Sequence, residues 1–425
     1  MKILKINKGL KGSLTVASDK SMTHRAVILS ALAKGESHIY SPLLSEDVRR
    51  TITAFQAMSV NIKEKKSELI IVGSDFQLKK ASKALNMGNS GTSSRLLMGV
   101  LSGQNFESMM YGDSSLSQRP MSRVVKPLRE MGARISYNEH RESLPLTIQG
   151  QKGLTSIDYK MPIASAQVKT ALLLSGLQAE GETRLIEKEV TRNHTEQMLP
   201  LFSAEIQVND KEIKLKGRQN LRGAECYIPA DISSAAFWIV AALIIPDSEI
   251  LLKNVCINPT RAGILEVVHL MEGKCELLNI KEAEEIADIH VSYTENLKAV
   301  EISGNLIPRL IDEIPIICLL ASQAEGETLI KDAQELRVKE SDRIKKMVEM
   351  LSDLGVSISE KEDGMIIKGK ARLRSGKINS LNDHRIAMTA VIAGLIAEEG
   401  MEVINTETIK SSYPDFFKDL ETLCQ

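Results

Sequence analysis

One kind of segment recurs six times along this chain, and a recurring unit constrains a fold more than any single motif does. The six are "KSMTHRAVILSALAKGES", "SGTSSRLLMGVLSG", "SAQVKTALLLSGLQAEGET", "DISSAAFWIVAALIIPDSE", "DEIPIICLLASQAEGET" and "DHRIAMTAVIAGLIAEEGM". Each opens with small, polar or charged residues, runs on through Ala, Leu and Ile, and usually closes at Gly. The openings lie near Lys20, Gly91, Ser165, Asp231, Asp312 and Asp383, roughly 65 to 80 residues apart. A helix that is apolar all round must be enclosed, so the pattern predicts one buried helix per unit. The segments between read as strands and outer helices. "SELIIVGSD", "LPLTIQG", "AEIQVNDKEIKLKG" and "GMIIKGKARL" show the alternation of strands. "RPMSRVVKPLREMGARI" and "RVKESDRIKKMVEMLSDLGVSI" show helical periodicity followed by Gly and another strand. The expected class is therefore α/β, with two similar domains of three units each. The cut between them falls before "PADISS", near Pro229.

Composition removes several function classes. A length of 425 residues allows two or three domains. A formal net charge of -1 and only 4% aromatic residues argue against a nucleic-acid partner. The longest apolar run, "AAFWIVAALIIP", is too short to cross a bilayer, so no membrane role is expected. The N-terminal stretch "MKILKINKGLKGSL" lacks the apolar core of a signal peptide. The five cysteines are dispersed with no CxxC, which fits a reducing cytoplasm. The histidines have no ligand spacing, so no metal site is expected. His24, His38, His140, His194, His269 and His290 read as structural. His384 stands apart because Asp383 and Arg385 flank it.

The starts of the apolar runs carry the chemistry. Asp19 suits an N-cap, yet Lys20 and Arg25 follow it, where the helix dipole disfavours cations. "GNSGTSSR" supplies Asn89, Gly91 and Thr92, with Arg95 one turn on. Ser165 and Gln167 precede a third apolar run, with Lys169 beyond them. "GDSSLSQRPMSR" contributes Arg119. "RVKESDRI" puts Lys339 and Arg343 at i, i+4 with Glu340 between them, "NDHRIAM" groups Asp383, His384 and Arg385, and "IKSSYP" adds Lys410. Small polar residues at helix N-termini form anion sites. Cations recurring there imply a ligand with several anionic groups.

These motifs, with "SYPDFF", resemble the 5-enolpyruvylshikimate-3-phosphate synthase family over nearly the whole chain and in the family's order. The form "SAQVK" resembles its bacterial second-class branch. The resemblance implies an enolpyruvyl transferase-like inside-out α/β barrel in each domain, built from three βαβαββ units. It also implies a discontinuous lower domain of residues 1–17 plus 229–425, an upper domain of 18–228, and an active site in the cleft between them. The implied reaction moves the enolpyruvyl group of phosphoenolpyruvate to the 5-hydroxyl of shikimate 3-phosphate, with no metal or cofactor. The enzyme is expected to be a cytoplasmic monomer.

By the same resemblance, Asp312 is the general base. Glu340 donates a proton to the vinyl carbon, with Lys20 as competitor. Lys20, Ser21, Arg25, Ser165, Gln167, Asp312 and Lys339 would bind shikimate 3-phosphate. Lys20, Asn89, Gly91, Arg119, Arg343, His384, Arg385 and Lys410 would serve phosphoenolpyruvate. Arg192 would reach toward the shikimate side.

Three departures accompany the match: Ala17-Ser18 replaces a common Pro-Gly, Glu335 stands where many members have Asn or Phe, and Ala166 replaces a Ser. Two alternatives fit the sequence less well. A sister transferase acting on UDP-N-acetylglucosamine usually carries a Cys in its mobile loop, whereas "YGDSSLSQRP" has none. A non-catalytic scaffold would be expected to have lost Asp312, Glu340 or Lys20. No GxxxxGK[ST] motif points to a kinase.

Overall fold

The computed structural model describes residues 1–139 and 141–424; His140 lies outside them. Each of the six apolar runs is an inner helix: α1 (Lys20–Leu32), α2 (Gly91–Ser102), α3 (Ala166–Gly176), α4 (Ile232–Ile244), α5 (Ile314–Gln323) and α6 (His384–Ile396). Every residue of α4 is buried, as a run apolar on all sides after its first turn requires. The Asp19, Ser90, Ser165, Asp231 and Asp383 side chains accept hydrogen bonds from the first turns of α1, α2, α3, α4 and α6. They satisfy amides that would otherwise be orphaned. In α5 no side chain caps, and Pro315 occupies the first turn, where a missing N–H costs nothing.

The chain forms two compact units, Ser18–Ile228 and Met1–Ala17 together with Pro229–Gln425. They are called here the continuous and the split unit. Each has one hydrophobic core gathered on its three inner helices. Five sheets have four strands in the same order, a parallel pair followed by two antiparallel neighbours. In the continuous unit, Leu85–Asn86 runs parallel to Glu107–Tyr111, whose antiparallel partner Leu146–Gln149 also pairs with Arg134–Tyr137. The sheet of the first repeat borrows its parallel strand, Glu225–Tyr227, from the far end of the unit.

The split unit uses its N-terminal segment twice. Lys11–Leu14 runs parallel to Glu249–Cys256 in the fourth repeat. Lys2–Ile3 pairs antiparallel with Met401–Ile404 in the sixth, whose sheet has only three strands. After that sheet the chain ends in a helix, Phe416–Leu423, which lies over α4. Trp238 stacks on Phe416 with ring centroids 4.9 Å apart and donates to the Tyr413 hydroxyl at 2.9 Å. The "SYPDFF" motif therefore has a packing role here.

One device closes all six repeats. Past the last strand of each sheet, a backbone N–H bonds a carbonyl at the inner helix's C-terminal end. The pairs are Ser74 to Ala31, Gln151 to Ser102, Arg218 to Leu177, Thr294 to Leu243, Ala371 to Ser322 and Ile6 to Leu395. These carbonyls are the orphans every helix leaves. In four repeats the approach is so close that only glycine fits: a Cβ at Gly73, Gly150, Gly217 or Gly369 would lie 1.8–2.2 Å from a backbone oxygen.

The two bases differ beyond this device. In the continuous unit Phe76 packs against the core there, and Gln104 and Gln178 bridge α2 to α3 at 2.7 Å. Gln178 also donates to the α2 carbonyl of Val100 at 3.0 Å. In the split unit Tyr293 follows the strand where glycine stands elsewhere. A cavity of about 550 Å³, bordered by Ile245, Tyr293, Leu297, Gln323 and Leu373, remains at the ends of the helices.

Candidate functional site

In the continuous unit the starts of α1, α2 and α3 are tied together by the residues singled out in the sequence. Arg25, only 3% exposed, reaches across from α1. Its Nε donates to Thr195 Oγ1 at 2.8 Å, Nη2 to Thr170 Oγ1 of α3 at 2.9 Å, and Nη1 to the Ser21 carbonyl at 3.0 Å. Lys20 Nζ bonds Asp47 at 2.9 Å. Asp47 opens the neighbouring helix Glu46–Ala57, where the dipole favours an acid.

Arg95 Nη1 donates to Gln167 Oε1 at 2.7 Å, and Gln167 Nε2 returns to Thr92 at 3.0 Å. Arg119 bonds Asn89 Oδ1, and Asn89 is fixed in turn by Asp113 at 2.8 Å. Gly91 sits between these arginines. A Cβ there would lie 2.9 Å from Arg95 Nη1 and 3.4 Å from Arg119 Nη1. Ser165 caps α3, accepting from the Val168 amide at 3.4 Å. Lys20, Ser21, Arg25, Asn89, Gly91, Arg119, Ser165 and Gln167 thus share one end of the unit.

Two expectations change here. Lys169 belongs to the interior: it is fully buried, bonded to Glu187 at 3.1 Å, Glu196 at 2.6 Å and the Thr191 carbonyl at 3.1 Å. It clasps the segment that carries Arg192 and Thr195. Burial pushes the Glu187 carboxyl up, against the pull of Lys169. Lys20 and Arg25, whose position at a helix start implied an anionic ligand, have protein partners as well, Asp47 and two threonines. His24 is buried with Nδ1 2.8 Å from Thr51 Oγ1. Burial, then Lys20 and Arg25, holds it well below its ordinary value, so it is a neutral structural histidine.

In the split unit the corresponding end is a lattice of acids and cations. Arg343, 1% exposed, opens the outer helix Arg343–Asp353. It donates from Nε to Asp383 at 2.9 Å, from Nη2 to Glu340 at 2.7 Å and from Nη1 to Asp312 at 3.3 Å. Burial alone would lower its pKa; Asp383, Glu340 and Asp312 outweigh that and raise it. Lys339 Nζ bonds Asp312 at 3.4 Å, and Arg385 Nη2 lies 4.0 Å from the other Asp312 oxygen. Asp383 caps α6 and also accepts from Ser341 at 2.9 Å.

His384 is buried in the first turn of α6. Lys410 is exposed on the short turn Thr406–Ser411, which Thr408 fastens to the Asn382 carbonyl at 2.9 Å just before α6. Glu335 is half-buried on the short turn Gln334–Val338.

The i, i+4 spacing of Lys339 and Arg343 does not describe one helical face. Lys339 ends the turn at Gln334–Val338 in extended conformation, and Asp342 caps a new helix that begins at Arg343. The two cations meet at Asp312 instead. Residues the sequence reading passed over complete the cluster. Glu313, fully buried, accepts from Arg261 Nη1 at 3.2 Å and from the Ser233 hydroxyl. Arg261 Nη2 bonds Asp231 at 3.1 Å. The available signal was the Arg of "NPTRAG", in a turn fixed by Asn258, which accepts from the Thr260 amide at 2.8 Å.

With this geometry in view, comparison with known proteins is informative. The family model EPSP synthase (3-phosphoshikimate 1-carboxyvinyltransferase) matches residues 4–420. A 3-phosphoshikimate 1-carboxyvinyltransferase of Streptococcus uberis is 52% identical over 423 residues, covering 99% of each chain. A solved EPSP synthase from Acinetobacter baumannii superposes with TM-score 0.87 at 42% identity, covering 99% of this chain and 97% of its own. An enolpyruvyl transferase from Streptomyces tendae shares the fold, with TM-score 0.80 at 17% identity, over 99% of this chain and 96% of its own.

Proposed function

The chain belongs to the EPSP synthase (3-phosphoshikimate 1-carboxyvinyltransferase) family, and from that premise we propose how its residues divide the family's reaction among them. The enzyme transfers the enolpyruvyl group of phosphoenolpyruvate to the 5-hydroxyl of shikimate 3-phosphate and releases phosphate, in aromatic amino acid biosynthesis. Each substrate carries a phosphate and a carboxylate. Lys20, Ser21, Arg25, Ser165, Gln167 and Lys339 bind shikimate 3-phosphate. Asn89, Gly91, Arg119, Arg343, His384, Arg385 and Lys410 serve phosphoenolpyruvate. Guanidiniums suit these groups because they offer paired donors to planar oxyanions.

One observation carries the assignment of the base. Asp312 is the carboxylate on which Arg343, Lys339 and Arg385 converge, at 3.3, 3.4 and 4.0 Å. The three cations fix its carboxylate in place, as the group set to take the 5-hydroxyl proton. The freed oxygen attacks C2 of phosphoenolpyruvate while C3 gains a proton, giving a tetrahedral intermediate. Glu340 is the proton donor, with Lys20 the competing candidate. C3 then loses a proton, the C2–O bond to phosphate breaks, and the double bond returns. Arg343 and Lys20 stabilise the charge that moves onto the leaving phosphate.

The protein acts as a cytoplasmic monomer.

The decisive assay follows phosphate release from phosphoenolpyruvate, with shikimate 3-phosphate and separately with UDP-N-acetylglucosamine. Turnover is expected with the first; turnover only with the second overturns the reading. Asp312→Ala is expected to keep substrate binding and lose about 10²–10⁴-fold in kcat. An unchanged kcat rejects the base assignment.

A further inference from the structure

The residue next to the proposed base is also a carboxylate, Glu313, and it is fully buried. An acid in the interior requires partners, and its partners come from two other inner helices and from the turn that carries Arg261. From the start of α4, the Ser233 hydroxyl donates to its Oε1. Arg261 Nη1 donates to both oxygens, at 3.2 and 3.4 Å, while Nη2 of the same guanidinium is anchored on Asp231, the α4 cap. From the start of α6, Arg385 Nη1 lies 3.6 Å from Oε1.

Arg385 is therefore gripped from two sides. One terminal nitrogen faces Glu313 and the other faces Asp312 at 4.0 Å. Only 7% of Arg385 is exposed, so its guanidinium has little freedom to find this pose from solvent. A second feature points the same way. Arg261 and Ser233 supply Glu313 with donors independent of Arg385. The acid is thus held in place before Arg385 docks on it, and it serves as a fixed seat.

We propose that Glu313 is a positioning residue for the reaction: seated by Arg261 and Ser233, it orients Arg385 toward phosphoenolpyruvate and holds it beside Asp312. This rests on the assignment of Arg385 to phosphoenolpyruvate given above. Glu313 itself touches no reacting atom. Its removal acts through Arg385, and the cost falls on one substrate more than the other.

Steady-state kinetics of Glu313→Gln tests this, because the amide keeps the shape and loses the charge. KM for phosphoenolpyruvate is expected to rise about tenfold or more, with KM for shikimate 3-phosphate changing less than threefold. Glu313→Asp is expected to recover part of the loss. In a cycle with Arg385→Gln, the double variant is expected to be little worse than Arg385→Gln alone, the signature of residues acting as one unit. If Arg385→Gln impairs phosphoenolpyruvate use while Glu313→Gln leaves both KM values unchanged, the proposal is overturned and the Arg385 assignment stands. If Arg385→Gln is itself silent, both fall. Should Glu313→Gln not fold, Ser233→Ala removes one donor to the seat at small volume change. It is expected to raise KM for phosphoenolpyruvate at least threefold, and equal effects on both substrates would overturn the proposal.

Discussion

The continuous and split units hold the buried arginines near their inner-helix starts with different partners. Within the continuous unit, Arg25 and Arg95 are held by hydroxyls, an amide and backbone carbonyls. Within the split unit, Arg343, Arg261 and Arg385 are held by Asp383, Glu340, Asp312, Asp231 and Glu313. Neutral acceptors fix a guanidinium in space without cancelling its charge. Carboxylates fix it and cancel it, and they can also take and give protons. The contrast fits the proposal above, in which both carboxylates assigned to proton transfer, Asp312 and Glu340, lie in the split unit.

The largest expected effect that could break this contrast is on stability. Asp383→Ala removes the fully buried partner of Arg343 together with the cap of α6, and breaking a buried pair costs about 3–5 kcal/mol. Thr195→Val takes one neutral acceptor from Arg25 and should cost about 1.5–3 kcal/mol. Urea unfolding of both variants checks the order. Equal losses would mean that the two kinds of anchor are energetically alike.

A smaller effect separates the two bases. Gly73→Ala and Gly369→Ala each force a methyl group onto a helix carbonyl, and overpacking of this kind costs about 1–3 kcal/mol. Gln323 and Ala371, beside Gly369, border the 550 Å³ cavity, so the backbone there has space to yield. Thermal melts should show Gly369→Ala losing less than Gly73→Ala. The reverse order would show that the cavity gives no relief.

The smallest effect is a slope with pH. His24 is held below its ordinary value of 6.5, so the unfolded chain takes up the proton first. Its contribution is fully present above pH 6.5 and declines as pH falls, by at most about 1.4 kcal/mol per pH unit. His24→Gln should flatten this slope between pH 6.5 and 5 in urea titrations of the continuous unit. An unchanged slope would place the proton uptake elsewhere.

Much of this was legible in the sequence. The six apolar runs became six inner helices because nothing but burial suits a helix without a polar face. Asp19 and Asp383 announced caps, and the cations beside them announced a site. What stayed hidden was the pairing of buried charge. Nothing local distinguishes Lys169, buried between two acids, from a lysine on a helix surface. Glu313 looked ordinary because an acid is expected at a helix start. Arg261 lay outside the repeated helix starts altogether. The break at Asp342 was obscured because the periodicity of the helix after it extends, by accident of spacing, back through Lys339.

The doubled use of the N-terminal segment has a consequence during synthesis. Lys11–Leu14 waits for Glu249–Cys256, and Lys2–Ile3 waits for Met401–Ile404. Residues 18–228 can pack as soon as they leave the ribosome, because all their strand partners lie within that stretch. Residues 1–17 are made before either partner, and of them Lys2–Ile3 waits longest. They remain an unpaired tether through most of translation, and a chain stalled before residue 401 carries a finished continuous unit beside a split unit that cannot complete its last sheet.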